Sequence, residues 1–381
     1  MSKRIHPEQF KELFLRETPL IDVRAPVEFA EGSLPGAVNM PILNDEERAL
    51  IGTTYKREGQ DEAVRLGYKI VSGPVKEARV QAWSDYIEKY PRTVVYCFRG
   101  GKRSQITQQW LSDNKIDRPI IEGGYKAVRT FLMEETERYT AAHKFVVISG
   151  PTGSGKTHFL KALEGEGPVI DLEGLALHRG SAFGGMGVPQ PSQINFENLL
   201  AVKMMKLDAE FSPETPVSIE DESRLIGSRS MPLSLFEKIR SSQVVWVDEG
   251  LETRVDNIFK DYILDTPIGV AADGGYRCAE EQEILQSEAL KVFARYRNSA
   301  SAIRKKLGGL RTQEILADLE FAEREFINSQ NLSPNKVWIQ KLLVWYYDPL
   351  YLGSLERRQM NVLFKGSTKD SLSFVKSLMG S

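Results

Sequence analysis

Two glycine-bearing loops carry residues that could do chemistry on anions. In the first, Cys97 is followed by Phe98-Arg99-Gly100-Gly101-Lys102-Arg103. Cys97 closes an apolar strand, and a helix opens just beyond the loop. Inward-turned backbone N–H groups, the helix N-terminus and three cations all favour negative charge on or near such a thiol. A thiolate placed this way can attack an electrophile or carry a transferred atom. A core cysteine packed as a small hydrophobe is the plainer reading, but it leaves the glycines and cations unexplained. The second loop, Gly150-Pro-Thr152-Gly153-Ser154-Gly155-Lys156-Thr157, matches the Gly-x4-Gly-Lys-Thr phosphate loop. Its N–H groups cradle one phosphate, Lys156 reaches the next, and the Thr157 hydroxyl can ligate Mg²⁺. The motif specifies a polyphosphate site without specifying hydrolysis.

The elements around both loops suit these roles. Apolar runs at Pro19–Val23, Thr93–Cys97 and Pro119–Ile121 alternate with helical patterns at Pro7–Phe14, across the charged stretch 44–90, and from Ser104 onward. That alternation predicts a parallel α/β sheet. The polar, mixed-charge stretch Glu134–His143 reads as a linker, which divides the chain into domains at 1–138 and 144–381. Strand Phe145–Ser149 leads into the phosphate loop and helix His158–Leu163 leaves it, the setting the motif requires. Val169–Leu172, Val217–Glu220 and Val244–Asp248 are further strands. Beyond about residue 255 the pattern is helical over 280–307, 312–328 and 335–347, with a late edge strand at Val362–Lys365.

Carboxylates follow the later strands, where metal or base positions belong in such a sheet. The cluster Glu220-Asp221-Glu222 is the preferred metal position, with Asp221 as the ligand beside Thr157; Asp171 and Asp248-Glu249 are ordinary strand ends by the plainer reading. Arg179, after His178, and Arg224 sit in basic glycine-containing stretches and are candidate phosphate contacts, or else solvated arginines between structural turns. Arg304-Lys305-Lys306 and Arg357-Arg358 could touch an RNA backbone, although such clusters are more often solvated faces. Trp345-Tyr346-Tyr347-Asp348-Pro-Leu-Tyr351 reads better as helical core than as a base-stacking platform.

The 381 residues are 41% apolar with a net charge of −2. The chain can fill two cores but has no global field to attract nucleic acid, so an RNA partner requires a local basic surface, expected between the domains. Two separated cysteines, Cys97 and Cys278, make neither a disulfide framework nor a metal cluster. With no apolar leader and no membrane-length apolar run, the expectation is a cytoplasmic protein.

The segment Leu20-Ile-Asp22-Val-Arg24-x3-Glu28-Phe-x2-Gly32-x-Leu-Pro35-Gly36-Ala-x-Asn39 resembles the entry signature of rhodanese domains, and Gly123-Gly124-Tyr125 fits the same fold. Arg103 lies six residues after Cys97, one more than in the common single-domain rhodanese loop. That length is similar to the dual-specificity phosphatases of the same fold and suits an anion larger than the usual one. A rhodanese-like domain followed by a P-loop domain resembles the tRNA 2-selenouridine synthase family. So do Asp171-Leu-Glu-Gly-Leu-Ala-x-His178-Arg179-Gly-Ser-Ala-Phe183-Gly184, Phe196-Glu-Asn-Leu-Leu200, Glu220-Asp-Glu-Ser-Arg224-x-Ile-Gly227 and Tyr346-Tyr-Asp-Pro-x-Tyr351. The resemblance implies an α/β fold: an N-terminal rhodanese-like parallel-sheet domain plus a P-loop NTPase-like domain with a helical C-terminal region. It implies a transferase that converts 2-thiouridine at the tRNA wobble position to 2-selenouridine. The co-substrates would be selenophosphate, supplied by a selenophosphate synthase partner, and geranyl diphosphate, which makes an S-geranyl intermediate. Two other readings of the residues stay open: a Cys97-dependent phosphatase or sulfurtransferase fused to a nucleotide-binding ATPase or kinase, and a non-catalytic nucleotide-sensing scaffold.

Overall fold

The computed structural model describes residues 3–185, 187–274, 278–355 and 360–380, so Arg357 and Arg358 lie outside the described residues. Two compact units emerge, one of residues 1–142 with 191–210, the other of 143–190 with 211–381.

In the first unit, β1 (Arg4–Ile5), β2 (Leu20–Asp22), β3 (Ala37–Asn39), β4 (Val94–Tyr96) and β5 (Ile120–Ile121) form a parallel sheet in the order β1-β5-β4-β2-β3. The three inner strands β5, β4 and β2 are short and buried on both faces, so they read as apolar runs rather than alternating ones. One face packs Trp83, Trp110 and Leu111 over Ile21, Val95 and Cys97. The other packs Phe10, Phe14, Val128 and Leu132 over Leu20 and Tyr96. Cys97 follows the central strand β4 at its carboxyl end, where ligand sites of open α/β sheets form.

The stretch expected to be a linker is helical: Gly124–Ala142 is one continuous helix. Its polar residues pair along the surface, as Arg138 does with Glu135 at 2.9 Å, while Val128, Leu132, Thr136 and Tyr139 bury a stripe at helical spacing. Helix Gln193–Glu210 belongs to this same unit, although 48 residues of the other unit (143–190) precede it. Ala201 and Met205 enter the core formed by Phe10, Phe14 and Leu132. Polar ties fix it further. Asn198 Nδ2 donates to Ser33 O at 2.8 Å, Ser33 N donates to Asn195 Oδ1 at 2.7 Å, and Lys11 pairs with Asp208 at 2.9 Å.

In the second unit, β6 (Phe145–Ser149), β7 (Val169–Ile170) and β8 (Val217–Glu220) precede a small antiparallel pair, β9 (Leu225–Ile226) with β10 (Arg229–Ser230). Then come β11 (Gln243–Val247) and β12 (Asn361–Gly366). The sheet is parallel in the order β12-β11-β6-β8-β7, which makes the late strand an edge, as expected from the sequence. The central strand β6 feeds the phosphate loop. The C-terminal third is helical with its own core, in which Phe183, Phe293, Tyr296, Trp338 and Tyr346 pack together. Trp345 and Tyr347 pack against that core. Arg304, Lys305 and Lys306 are exposed.

Candidate functional site

The Cys97 loop is held from below by the segment Gly123-Gly124-Tyr125. Tyr125 N donates to Cys97 O at 2.8 Å, and Lys126 N donates to Phe98 O at 3.0 Å. Gly124 has φ +59°, and a Cβ there would strike Cys97 O and the Gly100 nitrogen. Gly100, with φ +63°, is equally confined, since a Cβ would sit 2.6 Å from Ile121 O. These glycines are required because the two loops touch backbone to backbone. Cys97 is buried, and its Sγ lies 3.2 Å from Ser104 Oγ in the first turn of helix Lys102–Asp113, whose N-cap is Gly101. The thiol therefore sits against a helix N-terminus, as the sequence suggested.

The cations separate into two kinds. Arg103 binds Glu28 through both terminal nitrogens, at 2.5 and 3.1 Å, and Arg48 reaches the same carboxylate at 3.0 Å. Burial works against charge on Glu28, but Arg103, and after it Arg48, outweigh burial and hold its carboxyl below the ordinary value. Arg103 thus positions the loop. Arg99 and Lys102 have no ion-pair partner among the described residues and remain for an anion. The signature residues Asp22 and Arg24 form a buried pair at 2.6 Å, with Arg24 4.0 Å over the Tyr125 ring and bonded to Gly32 O at 2.7 Å. Asn39 Nδ2 donates to Arg24 O at 2.9 Å. The signature is therefore a brace beneath the loop.

In the phosphate loop Gly153 and Gly155 take φ +82° and +83°, and Lys156 opens helix Lys156–Leu163. Lys156 Nζ donates to Gly150 O at 3.0 Å. Residues to which the sequence alone assigns no role at this loop support it. Arg254 is buried, donates from Nε to Thr152 O at 2.8 Å, and grips Asp348 at 2.5 and 3.2 Å. Asn257 Nδ2 donates to Gly153 O at 2.9 Å. At the loop's start Gly150 N donates to the Tyr351 hydroxyl at 3.0 Å. Ser154 is fully buried, and its hydroxyl has no hydrogen-bond partner among the described residues.

Thr157 Oγ1 lies 3.2 Å from Glu173 Oε2 and 3.1 Å from Glu220 Oε1. Asp221 points elsewhere: its Oδ2 accepts from Ser149 Oγ at 2.6 Å. The carboxylates beside the hydroxyl are therefore Glu173 and Glu220 in place of Asp221. The reason is strand alternation, which sends Glu220 and Asp221 to opposite sides. Burial, then the charge of Glu222, push the Glu173 carboxyl up to about 8. Burial pushes Glu222 up to about 7 against the pull of Lys156, and Asp221 adds to the rise. Glu220 is raised well above the usual range by burial and then by Glu173. A hydroxyl and two crowded carboxylates beside a phosphate cradle are hard oxygen donors that suit Mg²⁺. Among the described residues no cluster of three or more acidic, His or Cys side chains forms an all-protein metal cage. One hydroxyl and two carboxylates would leave the remaining positions of such an ion's shell to water and phosphate oxygens. Arg179 lines the same cleft, of about 220 Å³, and lies 5.0 Å over the Tyr262 ring. Arg224 is exposed on the connection before β9 and is not among the residues lining that cleft.

The fold and the two loops define the class, a rhodanese-like thiol domain joined to a P-loop domain. Residues 6–130 match the rhodanese-like domain family, and residues 143–380 match the tRNA 2-selenouridine synthase AAA domain. A tRNA 2-selenouridine synthase of Bdellovibrio bacteriovorus is 54% identical over 376 residues, covering 99% of each chain. One from Nitrosomonas eutropha is 54% identical over 98% of this chain and 97% of its own. One from Sulfurovum is 43% identical over 96% and 97%. The chain belongs to the tRNA 2-selenouridine synthase family.

Proposed function

We propose that this protein replaces the sulfur of 2-thiouridine at the tRNA wobble position with selenium from selenophosphate, by way of an S-geranyl intermediate made from geranyl diphosphate. The supporting observation is the pairing, in one chain of this family, of a thiol on a glycine-braced basic loop with a separate polyphosphate cradle. Thiocarbonyl sulfur is a poor leaving group, and alkylation converts it to a thioether-type group that can depart. The P-loop binds the diphosphate of the prenyl donor, and Lys156 stabilises the negative charge that grows as it leaves. Thr157, Glu173 and Glu220 would hold Mg²⁺, which would supply Lewis-acid stabilisation of that charge. The Cys97 loop receives selenophosphate, drawn in by Arg99 and Lys102 and supplied by a selenophosphate synthase. Its selenide-level selenium attacks C2 of the alkylated base, geranylthiol leaves with the sulfur, and water then cleaves the P–Se bond to release phosphate. The work is expected in the cytoplasm; among the described residues no helix is long and apolar enough to cross a membrane.

The test is mass analysis of tRNA nucleosides from cells with the gene, without it, and with Cys97→Ser. The expected result is loss of 2-selenouridine in the last two, with S-geranyl-2-thiouridine persisting in the Cys97→Ser strain. Unchanged 2-selenouridine in either would refute the reading.

A further inference from the structure

Helices Asp45–Glu58 and Gln60–Ile70 contribute little to the core of the first unit, against which Ile51 and Ile70 pack only partly buried. No residue of the first is buried, and Ala63 alone is buried in the second. Leu50, Tyr55 and Tyr68 remain exposed on them at 52%, 57% and 48%. Holding 25 residues (14 + 11) in helices that bury so little needs another reason. The two helices wall a cleft of about 780 Å³ whose opposite wall is the Cys97 loop and the helix it opens. Ile51, Val64, Tyr68, Ile106 and Trp110 make most of its lining apolar, Arg48, Lys56 and Gln60 add polar groups to it, and Arg99 and Lys102 stand where it meets the loop.

A site with an apolar interior and cations beside the thiol loop suits an aliphatic chain carried on an anionic body. We propose that this cleft seats the ten-carbon chain of the S-geranyl nucleoside, so that the carbon accepting selenium lies at the Cys97 loop while its leaving group points between the helices. The proposal rests on the function proposed above. It adds a chain-binding subsite within the thiol unit, distinct from the polyphosphate cradle.

Calorimetric titration of the full chain with S-geranyl-2-thiouridine and S-methyl-2-thiouridine nucleosides tests it, with geranyl diphosphate as a third titrant. Each buried methylene changes affinity about fourfold, so partial burial of the longer chain gives a preference on the order of a hundredfold over methyl. Val64→Trp and Ala49→Trp fill the cleft from its two helices. Ala49 is exposed, so the second variant keeps the test valid if the first misfolds. Both should reduce the preference to less than about fivefold. A wild-type protein that does not distinguish the nucleosides, or variants that keep the full preference, would overturn the proposal. So would variants that lose geranyl diphosphate binding and keep the nucleoside preference, because the cleft would then serve the donor. If the preference collapses as expected but the wild-type protein makes no 2-selenouridine from S-geranyl tRNA, the subsite stands and the proposed function falls.

Discussion

Arg254 offers a sharp test of how the phosphate loop is kept in shape. It is 6% exposed and makes three bonds, one to the loop carbonyl of Thr152 and two to Asp348. Arg254→Ala leaves Thr152 O without its donor and Asp348 without its cation. Breaking a fully buried pair costs about 3–5 kcal/mol. Asp348 is 28% exposed, so water can reach it, and the cost falls at the lower end, about 3 kcal/mol. The loss is local. Hydrogen exchange read by mass spectrometry over residues 150–163 should quicken by roughly a hundredfold, the equivalent of that energy in opening. Global melting reports this poorly, since a chain of two units need not unfold in one step. Asp348→Asn keeps an acceptor for the guanidinium and should cost about 1–2 kcal/mol. The double variant should then show about 1–2 kcal/mol of coupling. Unchanged exchange over 150–163 in Arg254→Ala, or additive single effects, would refute the view that this pair braces the loop.

Other outcomes follow from the same geometry. Lys156→Ala should slow geranylation of 2-thiouridine tRNA by roughly two to three orders of magnitude while sparing selenation of tRNA that is already geranylated; equal losses in the two assays would deny the division between the loops. Gly124→Ala should destabilise the Cys97 loop by about 1–3 kcal/mol, because the new methyl meets backbone that cannot yield, whereas Gly36→Ala, also at positive φ but with open space, should cost less. Denaturation midpoints of the two variants decide this. Glu173 and Glu222 are pushed up to about 8 and about 7, so the folded chain holds protons that the unfolded chain has lost above about pH 4.3. Stability in chelator-containing buffer should therefore fall as pH rises from about 5 to about 8. Urea titrations at the two ends measure the slope, and Glu220→Gln should flatten it.

Much of this arrangement was legible because both loops follow apolar strands and carry their chemistry in consecutive residues. The late edge strand and the helical third were legible from period and composition. What escaped depends on direction in space. Arg103 reads as a free cation until Glu28, from the entry signature, is seen to bind it. The carboxylate run points to Asp221 as the ligand, although alternation at the end of β8 turns Glu220 to the opposite side from Asp221. That period was the available signal. Glu173, two residues past Asp171, is carried to Thr157 by a short helix, Leu172–Ala176, that has no strong sequence mark. Arg254, Asn257 and Asp348 lie about a hundred residues or more from the loop they hold, and no local pattern reveals such partners. The supposed linker failed for a different reason: mixed charge on a helix face looks like solvated chain until the buried stripe beneath it is counted.

The return of helix Gln193–Glu210 to the first unit sets a timetable for synthesis. The sheet of that unit is complete in sequence by residue 121, yet Ala201 and Met205 of its core have still to be made. From residue 142 to residue 210 the ribosome adds 68 residues (210 − 142), which takes about 3–14 s at roughly 5–20 residues per second. During that interval the nascent half carries an uncovered apolar face around Phe10, Phe14 and Leu132. Chaperones have time to bind such a face, and slow codons between 143 and 210 would prolong its exposure. The same threading keeps the two halves from being inherited as separable cassettes, because a gene cut after residue 142 encodes a first half that lacks part of its own core.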